Sequence, residues 1–419
     1  MYKRKYSSEW DFRNSNTKEY THCYHNYPAM MIPQIARKLI TEFAPSKKIN
    51  LILDPYMGSG TTLVESSIRG INSIGFDINP LARFIAEVKI STFNVSEIKC
   101  SYLLLCYKLD NFNPNEYQYN ENDYVNITKH EYWYSNENLV KLKYLSTSID
   151  DIENKEIKPF FLLALSEIIR EVSYTRNGEF KRYRIEKSKI PTYNPNPFLL
   201  FKNKIIRNLK GLESFILNRN DCNAIVLDCN SIHGIPNSII KKNSVDMVVT
   251  SPPYGDSKTT VAYGQYSRWS SEWFNFPNAK NIDKTLMGGI PIVVDNFKTN
   301  SIYKELELIK NIDIKRYYEV VTFLSEYSQS IKNISTLIRK GGRICYVVGN
   351  RTVKKVQIPL DYFTAEIFEQ NGFKHDITYV RSIPNKRMPL KTSPTNKKGI
   401  NVSTMTEEYI VIMTKINSK

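Results

Sequence analysis

Short runs of branched apolar residues alternate with helical-period segments along most of this sequence, and that alternation narrows the fold more than any other feature. Leu51-Ile-Leu-Asp54 reads as a strand. A helix over Thr62–Gly70 closes at a glycine, and Ser73–Ile78 and Leu81–Lys89 follow as the next strand and helix. Ala224–Cys229 and Val245–Thr250 are further strands. Tyr317–Arg339 reads as a long helix stopped by Gly341-Gly342, with a strand at Ile344–Gly349 after it. Asp376–Arg381 and Glu408–Thr414 make a closing pair, and Met31–Phe43 is an additional helix near the start. Seven strands alternating with helices predict an α/β fold with a doubly wound, mostly parallel sheet.

The rhythm breaks between residues 93 and 220, a stretch rich in Tyr, Asn and Lys with an apolar helix at Pro159–Val172. It is too long for a loop. The expected organisation is therefore a first part over 1–92, an inserted helical lobe over 93–220, and a return to the sheet over 221–419. A second irregular stretch is expected at Gly255–Asp313.

Apolar residues make up 41% of the chain, the proportion of a globular protein. No stretch approaches the ~20 apolar residues of a membrane span, and the N-terminus MYKRKYSSEWDF has no apolar core of a secretory signal. A cytoplasmic protein without membrane contact is expected. The six cysteines form no C-x-x-C and no zinc spacing, so buried free thiols and no metal are expected. Formal net charge is +16, which suits a nucleic-acid partner, although surface lysines alone produce such a charge.

Asp54-Pro-Tyr-Met-Gly-Ser-Gly-Thr-Thr62 joins a strand to a helix through a glycine turn, where backbone can approach a ligand closely. A phosphate-cradling loop needs Gly-Lys-Ser/Thr, and no lysine is present. A dinucleotide turn needs a third glycine after Gly58 and Gly60, and position 63 is Leu63. Asp54 would repel a pyrophosphate. A phosphate-free cofactor with a cationic end fits better, and S-adenosylmethionine has that chemistry. Asp77 ends the next strand, suited to ribose hydroxyls, and Asp228 ends the third, suited to an adenine amino group. Each aspartate alone reads equally well as a turn or cap residue.

Thr250-Ser-Pro-Pro-Tyr254 follows a buried strand. Neither proline has an N–H to donate, so strand pairing stops there. The segment presents Ser251, the Pro252 carbonyl and Tyr254 at a strand end, where open α/β sheets bind ligands.

With Asp54–Thr62 and Thr250–Tyr254 both in view, the chain resembles the amino-methylating DNA methyltransferases, which modify cytosine N4 or adenine N6 with S-adenosylmethionine. The resemblance implies a seven-stranded methyltransferase sheet. It also implies a cofactor loop including Asp54, Pro55, Gly58, Gly60 and Thr61, with Asp77 and Asp228 completing that site. His25-Asn-Tyr-Pro-Ala-Met30 resembles the family segment that packs on the cofactor's methionine end, which adds Tyr27 and Pro28. Ser251, Pro252, Pro253 and Tyr254 resemble its catalytic loop. The order of cofactor loop, long insert and catalytic loop is similar to the subgroup with target recognition between the two. In this family Ser before Pro-Pro usually marks cytosine N4, and Asp or Asn adenine N6. The implied partner is double-stranded DNA, with a cognate restriction endonuclease in a restriction–modification system.

Three basic, aromatic-bearing stretches are candidate DNA contacts: Arg176, Lys181, Arg182 and Arg184 in a hairpin or loop, Arg268 after the catalytic loop, and Arg381, Lys386 and Arg387 before the last strand. An RNA methylase and a catalytically silent DNA-binding protein are the rival readings. The first usually carries Asp or Asn before Pro-Pro; the second should have lost a motif residue.

Overall fold

A computed structural model describes residues 2–291, 298–383, 391–392, 402–403 and 405–416. The central sheet has eight strands. They are β1 (Arg4–Tyr6), β2 (Leu51–Asp54), β3 (Asn72–Phe76), β4 (Ala224–Leu227), β5 (Val245–Thr250), β6 (Ile338–Val348), β7 (Phe373–Ser382) and β8 (Glu407–Lys415). Their order across the sheet is β1-β7-β8-β6-β5-β2-β3-β4. β8 runs antiparallel to both β6 and β7, and every other neighbouring pair is parallel.

Seven strands were expected, and β1 is the addition. It pairs along the edge of β7, with Arg4 opposite Thr378. Its sequence has no apolar alternation, because an edge strand needs only backbone pairing and a few side-chain anchors. Arg4 supplies these through Asp361 at 2.8 Å and the Tyr362 ring at 3.9 Å.

The inner strands are buried on both faces, as parallel sheets require. Met247 and Val249 of β5, Cys345 and Val347 of β6, and Ile410 and Ile412 of β8 point to one side. There they meet Ile35, Leu39 and Ile40 of α1 (Pro33–Glu42). Val248, Ile344, Tyr346, Val411 and Met413 point to the other side. α2 (Thr61–Ile68) and α3 (Pro80–Ile90) follow β2 and β3 as expected.

Residues 93–220 carry four long helices: α4 (Val95–Asp110), α5 (Asn136–Asp150), α6 (Lys158–Glu171) and α7 (Pro197–Asn218). Their apolar faces do not close on themselves. Phe160, Phe161, Phe201 and Ile205 share one cluster with Leu81 and Ile85 of α3, with Tyr24, and with Trp269 of α8 (Tyr263–Trp273).

The stretch after the catalytic loop is less irregular than expected, since it holds α8 and α9 (Tyr303–Ile312). α10 (Ile314–Ser335) ends before Arg339, so Gly341-Gly342 does not stop it. Those glycines lie inside β6, at a register irregularity against β5. A β-carbon on Gly342 would come within 3.0 Å of the Asp246 carbonyl, so the bulge needs glycine. α11 (Leu360–Gln370) covers the far end of the sheet. All six cysteines are free, and Cys100 is exposed rather than buried. Among the described residues no helix is long and apolar enough to cross a membrane.

Candidate active site

The chain runs from β2 to β4 toward one edge and from β5 to β6 toward the other. The switch point therefore lies between β2 and β5, and a cleft opens outside their carboxyl ends. At β2 the turn is shaped by Gly58 (φ 53°) and Gly60 (φ 79°). Gly60 caps α2 in the left-handed region, and a β-carbon there would come within 2.9 Å of Ala86 Cβ on α3.

Two carboxylates organise this turn. Asp54 is buried and accepts from the Thr250 hydroxyl at 2.5 Å and from the Tyr56 N–H at 3.3 Å. Thr62 donates to the Val249 carbonyl at 3.0 Å. The glycine turn is thus stitched to the strand carrying Ser251. Asp77 accepts from the Gly58 N–H at 3.0 Å and the Asn79 N–H at 2.7 Å. Burial pushes both carboxyls up to about 6, and among the described residues neither makes an ion pair with a side chain. A cleft with two carboxylates, one buried and one half-buried, that pair with no cation, and a left-handed glycine turn, suits a ligand with a cationic end and no phosphate.

Tyr27, Pro28, Asp54, Pro55, Gly58, Thr61 and Asp77 all line the cleft, as do Ser251 and Pro253. Thr61 also holds the Tyr27–Met31 segment through the Met31 carbonyl at 3.3 Å. Gly60 acts from beneath, through its backbone. Pro252 is buried under the loop.

Asp228 is the exception. It is exposed and paired with Arg83 at 2.8 Å, outside the cleft. Cys229, Asn230 and Ser231 reach the cleft instead.

Ser251 donates to the Val347 carbonyl at 3.1 Å and lies 3.2 Å from the Tyr254 hydroxyl. Tyr254 donates to Glu408 at 3.1 Å, and its ring rests on Gly349, where a β-carbon would approach to 2.6 Å.

Tyr263 also lines the cleft, stacked against Tyr27 with ring centroids 6.0 Å apart. The start of α8 is held by Asp283, which accepts from Ser257 at 2.5 Å and the Gly264 N–H at 2.8 Å. Sequence reading missed this role. It took Tyr263–Trp269 for a DNA-contacting stretch because it is basic and aromatic. Its position just after the catalytic loop was the available signal.

The basic candidates divide. Thr175 and Arg184 bridge as a hairpin, with Arg176 exposed and Lys181 half-buried. Arg182 stacks on Trp269 at 4.7 Å and Arg184 on Tyr132 at 4.0 Å. Arg268 is an internal brace instead of a surface cation. It pairs with buried Glu272, four residues on, and donates to the Lys280 carbonyl at 2.9 Å. Arg381 is 5% exposed and engaged by Glu408 at 2.6 Å and the Asp11 carbonyl at 3.3 Å, so it has no free face for a phosphate. Lys386 and Arg387 lie outside the described residues. On the lobe, Glu121, His130 and Glu131 bring potential metal-ligating atoms within 4.8 Å of one another. The Tyr119 hydroxyl already holds His130 Nε2 at 2.7 Å, and none of the three lines the cleft.

A family model for N6/N4 DNA methylases matches residues 2–87. The type II methyltransferase M.MvaI of Kocuria varians is 35% identical over 421 residues, covering 96% of this chain and 92% of that protein. M.MjaII of Methanocaldococcus jannaschii is 24% identical over 398 residues, covering 69% and 72%. M.BsoBI of Geobacillus stearothermophilus is 27% identical over 270 residues, covering 57% and 50%. Among solved structures, a TehB-like SAM-dependent methyltransferase from Corynebacterium glutamicum covers 91% of this chain and 86% of its own, at 10% identity and a TM-score of 0.28.

Proposed function

Because the chain belongs to the amino-methylating DNA methyltransferases, a type II enzyme family using S-adenosylmethionine, we propose that it methylates cytosine N4 within a short duplex sequence. The observation carrying transfer to an exocyclic amino group is the state of Ser251. Its proton is directed to Val347, which leaves oxygen lone pairs for a substrate N–H.

The exocyclic amino nitrogen of cytosine is a poor nucleophile, because its lone pair is delocalised into the ring. The Ser251 oxygen and the Pro252 carbonyl, as two acceptors on its N–H bonds, draw it toward a tetrahedral geometry. Pro253 holds the loop backbone, and the Tyr254 ring stacks on the base. Asp54, Asp77, Tyr27, Pro28 and the glycine turn hold S-adenosylmethionine, which supplies an electrophilic methyl group on a sulfonium. Alignment of the two reactants contributes much of the rate. The base has to leave the duplex, at a cost of about a few kcal/mol that contacts in the pocket offset.

For Ser251, a neutral hydroxyl avoids desolvating a carboxylate in the closed pocket. That argument suits either base. The resemblance of Ser-Pro-Pro-Tyr to the cytosine-N4 loops supports cytosine over adenine N6. The helical lobe and its hairpin, with Arg176, Lys181, Arg182 and Arg184, are the proposed DNA-holding surface, joined by Lys386 and Arg387. A nuclease cutting the same sequence is the implied partner of such a modification enzyme.

Nucleoside mass spectrometry of duplex DNA methylated by the purified protein tests the reading, with N4-methylcytosine expected. N6-methyladenine alone overturns the base assignment, and methyl transfer to RNA alone overturns the DNA reading.

A further inference from the structure

Behind the catalytic loop, a line of polar side chains runs from the sheet to Ser251. Arg381 of β7 and Glu408 of β8 are direct cross-strand partners. Arg381 Nη1 donates to Glu408 Oε2 at 2.6 Å, and its Nη2 donates to the Asp11 carbonyl at 3.3 Å. Asp11 in turn accepts from the Ser382 N–H at 2.8 Å. The other Glu408 oxygen accepts the Tyr254 hydroxyl at 3.1 Å, and that hydroxyl lies 3.2 Å from Ser251 Oγ.

Hydroxyls in such a line can point their protons either way, and the end groups decide which. A carboxylate held by an arginine only accepts, so Tyr254 gives its proton to Glu408. The Tyr254 oxygen then has lone pairs and no proton facing Ser251. The Ser251 proton has two acceptors, the Val347 carbonyl at 3.1 Å and the Tyr254 oxygen, both on the protein side. Neither hydroxyl proton is left for the cleft. Burial, with the Glu408 charge beside it, also raises the Tyr254 phenol and keeps its proton in place.

We propose that Glu408, braced by Arg381, is a positioning residue for methyl transfer: it takes the Tyr254 proton and so keeps the Ser251 oxygen an acceptor toward the target amino group. This rests on the amino-methylation reading of Ser251. Neither Glu408 nor Arg381 touches the substrate in this account.

The test is a double-mutant cycle in single-turnover methylation, with separate titrations of S-adenosylmethionine and DNA. In Glu408→Gln the amide oxygen has to face Arg381, which only donates. The amide N–H then faces the Tyr254 oxygen and turns the phenol proton toward Ser251. The rate should fall about ten- to a hundredfold, the scale of one redirected charge-assisted hydrogen bond, with both dissociation constants unchanged. In the Tyr254→Phe background, which keeps the ring but has no phenol to redirect, Glu408→Gln should add no further loss.

A wild-type rate for Glu408→Gln overturns the proposal. So does an equal loss in both backgrounds, because Glu408 would then only join β7 to β8. If Glu408→Gln does not fold, Glu408→Asp replaces it in the same cycle. Aspartate keeps the charge for Arg381 but withdraws it from the phenol, so a loss confined to the Tyr254 background is again expected. Absence of any methylated amino base with the wild-type protein would instead fail the underlying reading, which the same product analysis distinguishes.

Discussion

Lowering the pH should weaken the hold of the cleft on its cofactor while relieving a penalty that one buried carboxylate places on the ligand-free protein. Asp54 is 3% exposed, and burial lifts its carboxyl from 3.8 to about 6. For one carboxylate that rise corresponds to roughly 3 kcal/mol. The unfolded chain loses this proton near 3.8, whereas the folded chain keeps it to about 6. The folded state therefore binds more protons in between. The Asp54 contribution to stability falls as pH rises from about 4 to about 6, and its whole penalty stands above that range. Asp77 shifts in the same direction through burial but faces the cleft, so its share is smaller. A cationic ligand reverses the preference, because it favours both carboxylates ionised. Affinity for S-adenosylmethionine should then climb as pH rises through 6, by up to about tenfold per pH unit below that point. Calorimetric titration between about pH 5 and pH 7.5 measures this while the ligand's α-amino group stays charged. Thermal melts of the ligand-free protein over the same range should show the Asp54 contribution as the difference between wild type and Asp54→Asn, which cancels the opposite contributions of buried His22 and His25, both held down to about 4. Asp54→Asn should flatten the binding curve. A wild-type affinity that stays constant across the range, with melting intact, refutes the pairing of these carboxylates with the cationic end of the cofactor.

Ser251→Ala should cut single-turnover methylation by roughly 10²–10³, by analogy with deleting one oxyanion-hole donor, and leave the cofactor dissociation constant unchanged in calorimetry. Gly60→Ala should lower the melting temperature, since its left-handed backbone alone costs an L-residue about 1–2 kcal/mol before the contact with Ala86 is counted. Arg268→Ala should destabilise the fold by about 1.5–3 kcal/mol in denaturant titrations, because buried Glu272 loses its cationic partner and is left with its hydrogen bonds from Thr128, while the salt dependence of DNA binding stays as in the wild type. Replacing Lys386 and Arg387 together by alanine should weaken DNA binding equally across sequences and reduce the salt slope by about 1 per lost phosphate contact.

The joints between strands and helices were legible because their signals are local. Leu51–Asp54, the glycine turn and α2 follow one another without a break from Leu51 to Ile68, and each boundary carries its own chemistry. The charged residues were harder, because charge is visible in sequence and partners are not. Arg381 looked free, yet its partner Glu408 is 27 residues on, across a strand pair. Arg268 was the more avoidable error: Glu272 stands four residues later, the spacing of a helical ion pair. Asp228 follows β4 as Asp77 follows β3, yet Arg83 holds its carboxylate outside the cleft, a partner that the residues around it do not reveal. A glycine pair reads alike after a helix and inside a bulged strand, so Gly341-Gly342 signals a helix stop in sequence while lying within β6. β1 left no pattern, since edge pairing uses backbone groups that every residue carries.

The apolar cluster shared by α3, the four lobe helices and α8 bears on whether the lobe can be exchanged as a unit. A lobe with its own core can be cut out at its two crossings and replaced by another, like a cassette. Here a chimera joined near residues 93 and 220 would separate Tyr24 from Phe160, whose ring centroids lie 5.8 Å apart. It would also separate the Trp269 indole from the Thr175 hydroxyl, its hydrogen-bond partner at 3.1 Å. Both halves would expose large apolar faces. Substitution at exposed hairpin positions such as Arg176 leaves that core untouched, whereas Thr175 and Arg182 of the same hairpin hold Trp269.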